Sequence, residues 1–93
     1  MQTSIQEIVD EIPRGCIFDT HHIIACLIEE YSDCYLGFAS GINADSDKTL
    51  AVHGKIGLLV ATFEGSTIER MEHKSWSRNI HGKSSSCTCW RKL

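Results

Sequence analysis

Residues 75–90 read SWSRNIHGKSSSCTCW, and the way this stretch folds decides the architecture of the chain. It holds Arg78, His81 and Lys83, a run of serines, one glycine and a tryptophan near each end. Upstream, Thr67 to Trp76 mixes polar residues with Ile68, Met71 and Trp76. Downstream, Ser86 to Leu93 contains Cys87, Cys89 and Trp90. Two extended runs joined by the polar, glycine-containing segment NIHGKSSS predict a β-hairpin.

The tripeptide Gly82-Lys83-Ser84 matches only the end of a phosphate-binding loop. That motif needs a further glycine where this chain has Ser77, and a helix directly afterwards so that backbone N–H groups converge on phosphate. Here the strand-like CTCW follows, so nucleotide hydrolysis is not expected.

Working outward, Ile5, Ile8, Val9 and Ile12 fall three and four apart between Gln2 and Glu11, which predicts a short amphipathic helix ended by Pro13. Cys16, Ile17 and Phe18 form a few extended residues after Gly15. Asp19 or Thr20 then offers a side-chain oxygen as N-cap to HHIIACLIEEY. Ile24, Leu27, Ile28, Tyr31, Tyr35 and Phe38 continue an apolar stripe, so the second helix runs to about Ser40, with a break near Ser32 and Asp33. GINADSDK is the strongest loop signal, with Gly41 as C-cap and Asp45, Ser46 or Asp47 as the next N-cap. The third helix is TLAVHGKIGLLVATF, in which Ile56, Leu59, Val60 and Phe63 share a face. Gly54 and Gly57 inside it each cost about 1 kcal/mol relative to alanine, which points to close helix packing or to a bare surface approached by a phosphate backbone.

The 93 residues suit one domain, residues 1–93, with 42% hydrophobic and 23% charged residues as in ordinary soluble proteins. No apolar run reaches the roughly 18 residues of a membrane span, and the acidic start MQTSIQEIVDEI lacks the apolar core of a signal peptide. A cytoplasmic protein without a membrane partner is expected. The five cysteines, an odd number, are then expected to be reduced thiols. The net charge of −3 conceals a division. Residues 1–48 carry a balance of −7, and residues 64–93 carry +3 through Arg70, Lys74, Arg78, Lys83, Arg91 and Lys92. An acidic body with a basic C-terminal end follows.

Helix, short strand, helix, helix, hairpin is an order that resembles the winged helix-turn-helix, an α+β fold of three helices packed on a small sheet whose C-terminal β-hairpin is the wing. Element order resembles it over nearly the whole chain. The last third, S-W-S-x-N-I-x-G-K-x-S-x-C-x-x-W, resembles the hairpin of small bacterial and phage-associated winged-helix proteins. The resemblance implies double-stranded DNA as partner, with the third helix in the major groove and the wing on the backbone or in the minor groove. It implies a small transcriptional regulator or DNA-associated accessory protein. Two features depart from the pattern: the second helix is long and the third is poor in arginine, which weighs against base-specific reading.

On that reading Lys74, Arg78 and Lys83 pair with phosphates from the wing and release counterions, with the potentially cationic His81 beside them. Asn79 and the serine hydroxyls donate to phosphate or sugar oxygens. Ser46, Lys48 and Thr49 face phosphate at the positive end of the third helix, and His53 and Lys55 reach base edges. A rival reading is a protein-interaction module, an adaptor, inhibitor or homodimer, in which the second helix presents Tyr31, Tyr35 and Phe38.

Other chemistries lack a pattern. His73, His81, Cys87 and Cys89 supply zinc-type ligands, but Cys-x-Cys is tighter than the usual finger spacing, and both thiols would share one strand face while His81 sits in the loop. Buried thiols acting as small apolar residues are expected instead, with no metal and no cofactor. His21 and His22 beside Asp19 read as the first turn of a helix, not as a nucleophile's base. No catalytic residue is assigned and an enzyme is not expected.

Overall fold

The computed structural model describes residues 1–43 and 47–93. Along the chain come α1 (Gln2–Glu11), β1 (Ile17–Asp19), α2 (Thr20–Glu30), α3 (Ser32–Ser40), α4 (Lys48–Ala61), β2 (Ile68–Arg70), β3 (Ser75–Arg78), β4 (Ser84–Cys87) and β5 (Cys89–Lys92). The described residues form an α+β domain with four helices where three were expected, and with two small antiparallel sheets. Among the described residues no helix is long and apolar enough to cross a membrane.

Local chemistry sets most boundaries. Ile5, Ile8 and Val9 are buried on one face of α1, and Ile12 turns extended at ψ 125. A residue before proline is pushed out of the helical region, so Pro13 ends the helix as expected. Gly15, at φ 83, makes the turn into β1 and donates its N–H to Lys92 O at 2.8 Å. Asp19 caps α2, its Oδ1 accepting from His22 N at 2.9 Å. Asp47 caps α4 in the same way through Leu50 N at 3.0 Å. Asp45 and Ser46, the other candidate caps, lie outside the described residues.

The additional helix arises from a break in the expected long one. Tyr31, at φ −129 and ψ 42, leaves helical geometry between α2 and α3. Ser32 and Asp33 compete for backbone hydrogen bonds and favour helix starts, and Asp33 stands in the first turn of α3. The bend is held by Tyr31 Oη, which donates to Glu7 on α1 at 2.9 Å. It leaves α3 with no fully buried residue, although Tyr35, Phe38 and Ala39 pack against the core.

One core joins the elements: Ile5, Ile8 and Val9 of α1, Ile23, Ile24 and Leu27 of α2, Val52, Ile56 and Val60 of α4, and Ile68 and Trp90 from the sheet. The buried stripe of α4 runs Val52, Ile56, Val60, and Leu59 and Phe63 are only half-buried beside it. Close packing accounts for neither glycine of this helix strongly. A Cβ on Gly57 would meet only Thr20 Cγ2 at 3.9 Å, and one on Gly54 would meet nothing within 4 Å.

β5 is the central strand of the first sheet, antiparallel to β1 and β2 in the order β1-β5-β2. Phe18 and Arg70 flank Trp90 across it. The C-terminal hairpin is present, but each of its arms is divided. Residues 71–74 separate β2 from β3 and Thr88 separates β4 from β5, so β3 and β4 pair as a sheet of their own. Ser84–Ser86, expected in the loop, belong to β4 and face Trp76, Ser77 and Arg78. The turn proper is Asn79–Lys83. Asn79 Oδ1 accepts from His81 N and Lys83 N at 2.9 and 3.2 Å, and Gly82 takes φ 75.

Thr88 lies against the first residue of α2. Thr88 O accepts from Thr20 N at 3.2 Å and lies 3.4 Å from Thr20 Oγ1, while the buried Trp90 Nε1 donates to that same Oγ1 at 3.1 Å. Replacing Thr20 with valine keeps the shape and leaves the indole N–H unpaired in the core, which costs about 1–3 kcal/mol. Urea unfolding is therefore expected to show Thr20→Val destabilised by that amount, with Thr20→Ser close to the parent. Equal midpoints for the parent and the valine variant would show that the buried bond contributes nothing.

Candidate nucleic-acid interface and histidine groove

The residues expected to contact DNA separate into three groups. Lys48 and Lys55 are exposed on α4, and at about 100° per residue they fall within roughly 20° of one another on the helix surface. Thr49 and His53 lie roughly 100–140° further round and are half-buried. Lys74, Arg78, His81 and Lys83 are exposed along the hairpin, and Asn79 is half-buried at its turn. Ser46 lies outside the described residues.

His53 is turned inward. Its Nε2 sits 2.8 Å from Tyr35 Oη, and the two rings tilt at 53° with centroids 6.0 Å apart. That contact engages Nε2 of a residue expected to reach base edges. It also engages Tyr35, one of the aromatics of the rival surface, as Glu7 engages Tyr31.

Between α4, the first turn of α2 and the hairpin lies a groove of about 300 Å³, lined in part by His21, His53, His81, Asn79, Leu50 and Cys87. Burial pushes the His53 imidazole below its ordinary range, and the neighbouring His81 and His21 act in the same direction.

The outward face of α4 is apolar. Leu50 and Leu58 are 71% and 69% exposed, with the bare Gly54 between them, and Trp76 on the hairpin is 73% exposed. The positive groups therefore do not form one continuous surface. Lys48 and Lys55 stand on one edge of α4, the hairpin cations stand across the groove, and apolar side chains lie between.

A second cluster, not anticipated as a unit, sits at the root of the hairpin. Asp19, His21 and Cys87 bring a carboxylate oxygen, a ring nitrogen and a sulfur within 4.8 Å of one another. Three serines surround them. Ser75 Oγ donates to Asp19 Oδ2 at 2.7 Å, Ser77 Oγ lies 2.7 Å from His21 Nδ1, and Ser85 Oγ lies 3.4 Å from His21 Nε2. Burial raises the Asp19 carboxyl, but Ser75, the His22 N–H, Ser77 and His21 together hold it below its usual range. The Cys87 thiol is pushed up, first by burial and then by the Asp19 charge, against the backbone N–H groups of His21 and Thr20 and the Ser77 hydroxyl.

Asp19 gives its oxygens to Ser75 and His22 N. Of the zinc set suggested by the sequence, His73 is exposed in the 71–74 segment, and Cys89 is buried in β5. Cys87 and Cys89, expected on one strand, belong to β4 and β5 on either side of Thr88. Asp19 and His21 were legible as a helix start. Their meeting with Cys87 depends on hairpin register, for which no local sequence signal exists.

His53 carries a pH dependence whose sign follows from its lowered value. The folded protein holds this proton less tightly than the unfolded chain, whose reference is 6.5. The contribution is complete above 6.5 and is lost as pH falls through the folded-state value. Urea midpoints measured downward from neutral pH are expected to fall for the parent protein and to fall less for His53→Gln. A variant profile parallel to the parent's would remove His53 as a source.

Comparison with protein-family models, with curated proteins and with solved structures finds no match to this chain, so geometry and chemistry alone support a function.

Proposed function

We propose that this chain is a winged-helix domain that binds duplex DNA chiefly through its phosphate backbone, as a small regulator or DNA-associated accessory protein of the cytoplasm. The order α1, β1, α2, α4, β2, hairpin, β5 supports the winged-helix reading, as does a three-stranded sheet in which β5 lies between β1 and β2. In that reading α3 is an added helix, α4 is the groove-facing helix and β3–β4 is the wing.

The observation that carries the DNA reading is how the cations divide. Arg70 pairs with Glu64 at 3.2 Å and lies 4.8 Å above the Trp90 ring, and Arg91 pairs with Glu69. Lys92 Nζ donates to Val9 O and Ile12 O at 2.7 and 3.2 Å, closing the end of α1. These three C-terminal cations serve the fold. Among the described residues, Lys74, Arg78 and Lys83 on the hairpin and Lys48 and Lys55 on α4 are in no ion pair. Side chains placed this way suit phosphate contacts, which give affinity without sequence information. The apolar outward face of α4 and the inward His53 leave few donors for base edges, so weak sequence preference belongs to the proposal.

That apolar face favours a second reading, a protein-docking module. Leu50, Gly54, Leu58 and Trp76 provide the exposed surface for it, rather than Tyr31, Tyr35 and Phe38, which are half-buried.

Fluorescence anisotropy with duplexes of differing sequence separates the two. For Arg78→Ala/Lys83→Ala, affinity is expected to fall on every duplex, and the slope of log K against log salt is expected to become shallower by about 0.9 for each phosphate left without its cation. An unchanged slope takes the wing out of the interface. Absence of salt-dependent binding by the parent protein, with partner capture abolished in Leu50→Ser/Leu58→Ser, replaces the DNA reading with the docking one.

A further inference from the structure

The geometry points to a zinc-class metal site at the hairpin root, with Asp19, His21 and Cys87 as ligands. It is independent of whether the domain binds DNA.

The donor set determines the class of ion. One sulfur, one imidazole nitrogen and one carboxylate oxygen suit zinc and its spectroscopic substitute cobalt(II), whereas calcium and magnesium take oxygen ligands. Ligand atoms around a tetrahedral zinc, with bonds of about 2.0–2.3 Å, lie roughly 3.3–3.8 Å apart. The three atoms here lie within 4.8 Å, so closing on an ion needs movements of about 1 Å, within the reach of side-chain rotation.

The framework around the ligands is in place. Asp19 and His21 are held by the first turn of α2, and Cys87 by its pairing with Ser75 in the hairpin. Ser75 donates to Oδ2 of Asp19, and an ion taken at His21 Nδ1, where Ser77 now stands, leaves Nε2 with Ser85 as its partner. Such outer contacts fix ligand orientation in metal sites. His21 and Cys87 both line the groove, which leaves the fourth position open to solvent from that side.

Ser77 is the competitor. Its hydroxyl lies 2.7 Å from His21 Nδ1 and also bears on Asp19 and Cys87, so it stands among the ligands. Rotation about its χ1 bond to another staggered position removes it from the centre. The hydrogen-bonded arrangement and the metal-bound one then alternate at a single site. Binding releases the Cys87 proton to solvent, and the ion's charge stabilises the thiolate that burial and Asp19 otherwise disfavour. The bound ion would connect the start of α2 to the root of the hairpin through side chains.

Cobalt(II) titration of the reduced, metal-free full chain tests this by absorbance, with zinc competition and calorimetry for stoichiometry. One equivalent is expected, with a thiolate-to-cobalt charge-transfer band that zinc abolishes. Cys87→Ser is expected to lose the band, His21→Gln to weaken binding by about 10–100-fold, and Ser77→Ala to retain or tighten it. Circular dichroism of each metal-free variant confirms that it is folded. Zinc is also expected to raise the melting temperature of Ser77→Ala but not of Cys87→Ser. Absence of the band in both the parent and Ser77→Ala overturns the proposal, as does a band that survives in folded Cys87→Ser and disappears in Cys34→Ser or Cys16→Ser.

Discussion

The buried hydrogen bond from Trp90 Nε1 to Thr20 Oγ1 is the interaction on which the remaining geometry depends. Trp90 lies on the central strand β5, and Thr20 is the first residue of α2. The bond fixes the start of a helix against the strand that organises the sheet. Thr88 O also accepts from Thr20 N, which carries the β1–β5 pairing one step past Asp19 and Cys89. The β3–β4 hairpin thus adjoins the first turn of α2. His21, one residue beyond Thr20, then meets Ser77 and Ser85 on the two hairpin strands, and Cys87 meets Asp19. An indole buried without a partner would carry an uncompensated donor, and here a single threonine satisfies it and positions the site as well.

The same organisation divides the basic C-terminal third by role. Cations near the sheet are neutralised locally: Arg70 by Glu64 and the face of Trp90, Arg91 by Glu69, and Lys92 by the last carbonyls of α1. Lys74, Arg78 and Lys83 instead stand exposed along the hairpin. Exposed ion pairs of this kind contribute little stability individually. Their larger effect is on the molecule's field, because they cancel charge over the sheet and leave it on the hairpin. A chain of net charge −3 can in this way present a locally positive element without a basic overall composition.

Much of the fold was legible where one residue dictates backbone geometry. Pro13 ends α1, Asp19 and Asp47 cap the following helices, and Gly82 supplies the turn of the hairpin. The break at Tyr31 was legible from Ser32 and Asp33, but the resulting number of four helices was not, since the apolar stripe passes through Tyr35 and Phe38 unchanged. Splitting the hairpin arms was not readable either, because neither residues 71–74 nor Thr88 include a glycine or proline to signal it. The candidate DNA residues show the same limit. Helical periodicity distinguishes inside from outside, yet it did not place His53 against Tyr35 or set apolar Leu50 and Leu58 on the exposed face. Asp19, His21 and Cys87 each have an ordinary local role, as cap, first-turn residue and strand thiol, and only register brings them together.

Amide chemical-shift mapping during titration with a short DNA duplex tests the central claim most directly, since it reports both association and the surface used. The largest changes are expected along Arg78–Ser84 and at Lys48 and Lys55, and they are expected to collapse as salt rises and phosphate contacts are screened. Changes confined to Leu50, Gly54 and Leu58, or none at low salt, would contradict DNA binding through the hairpin.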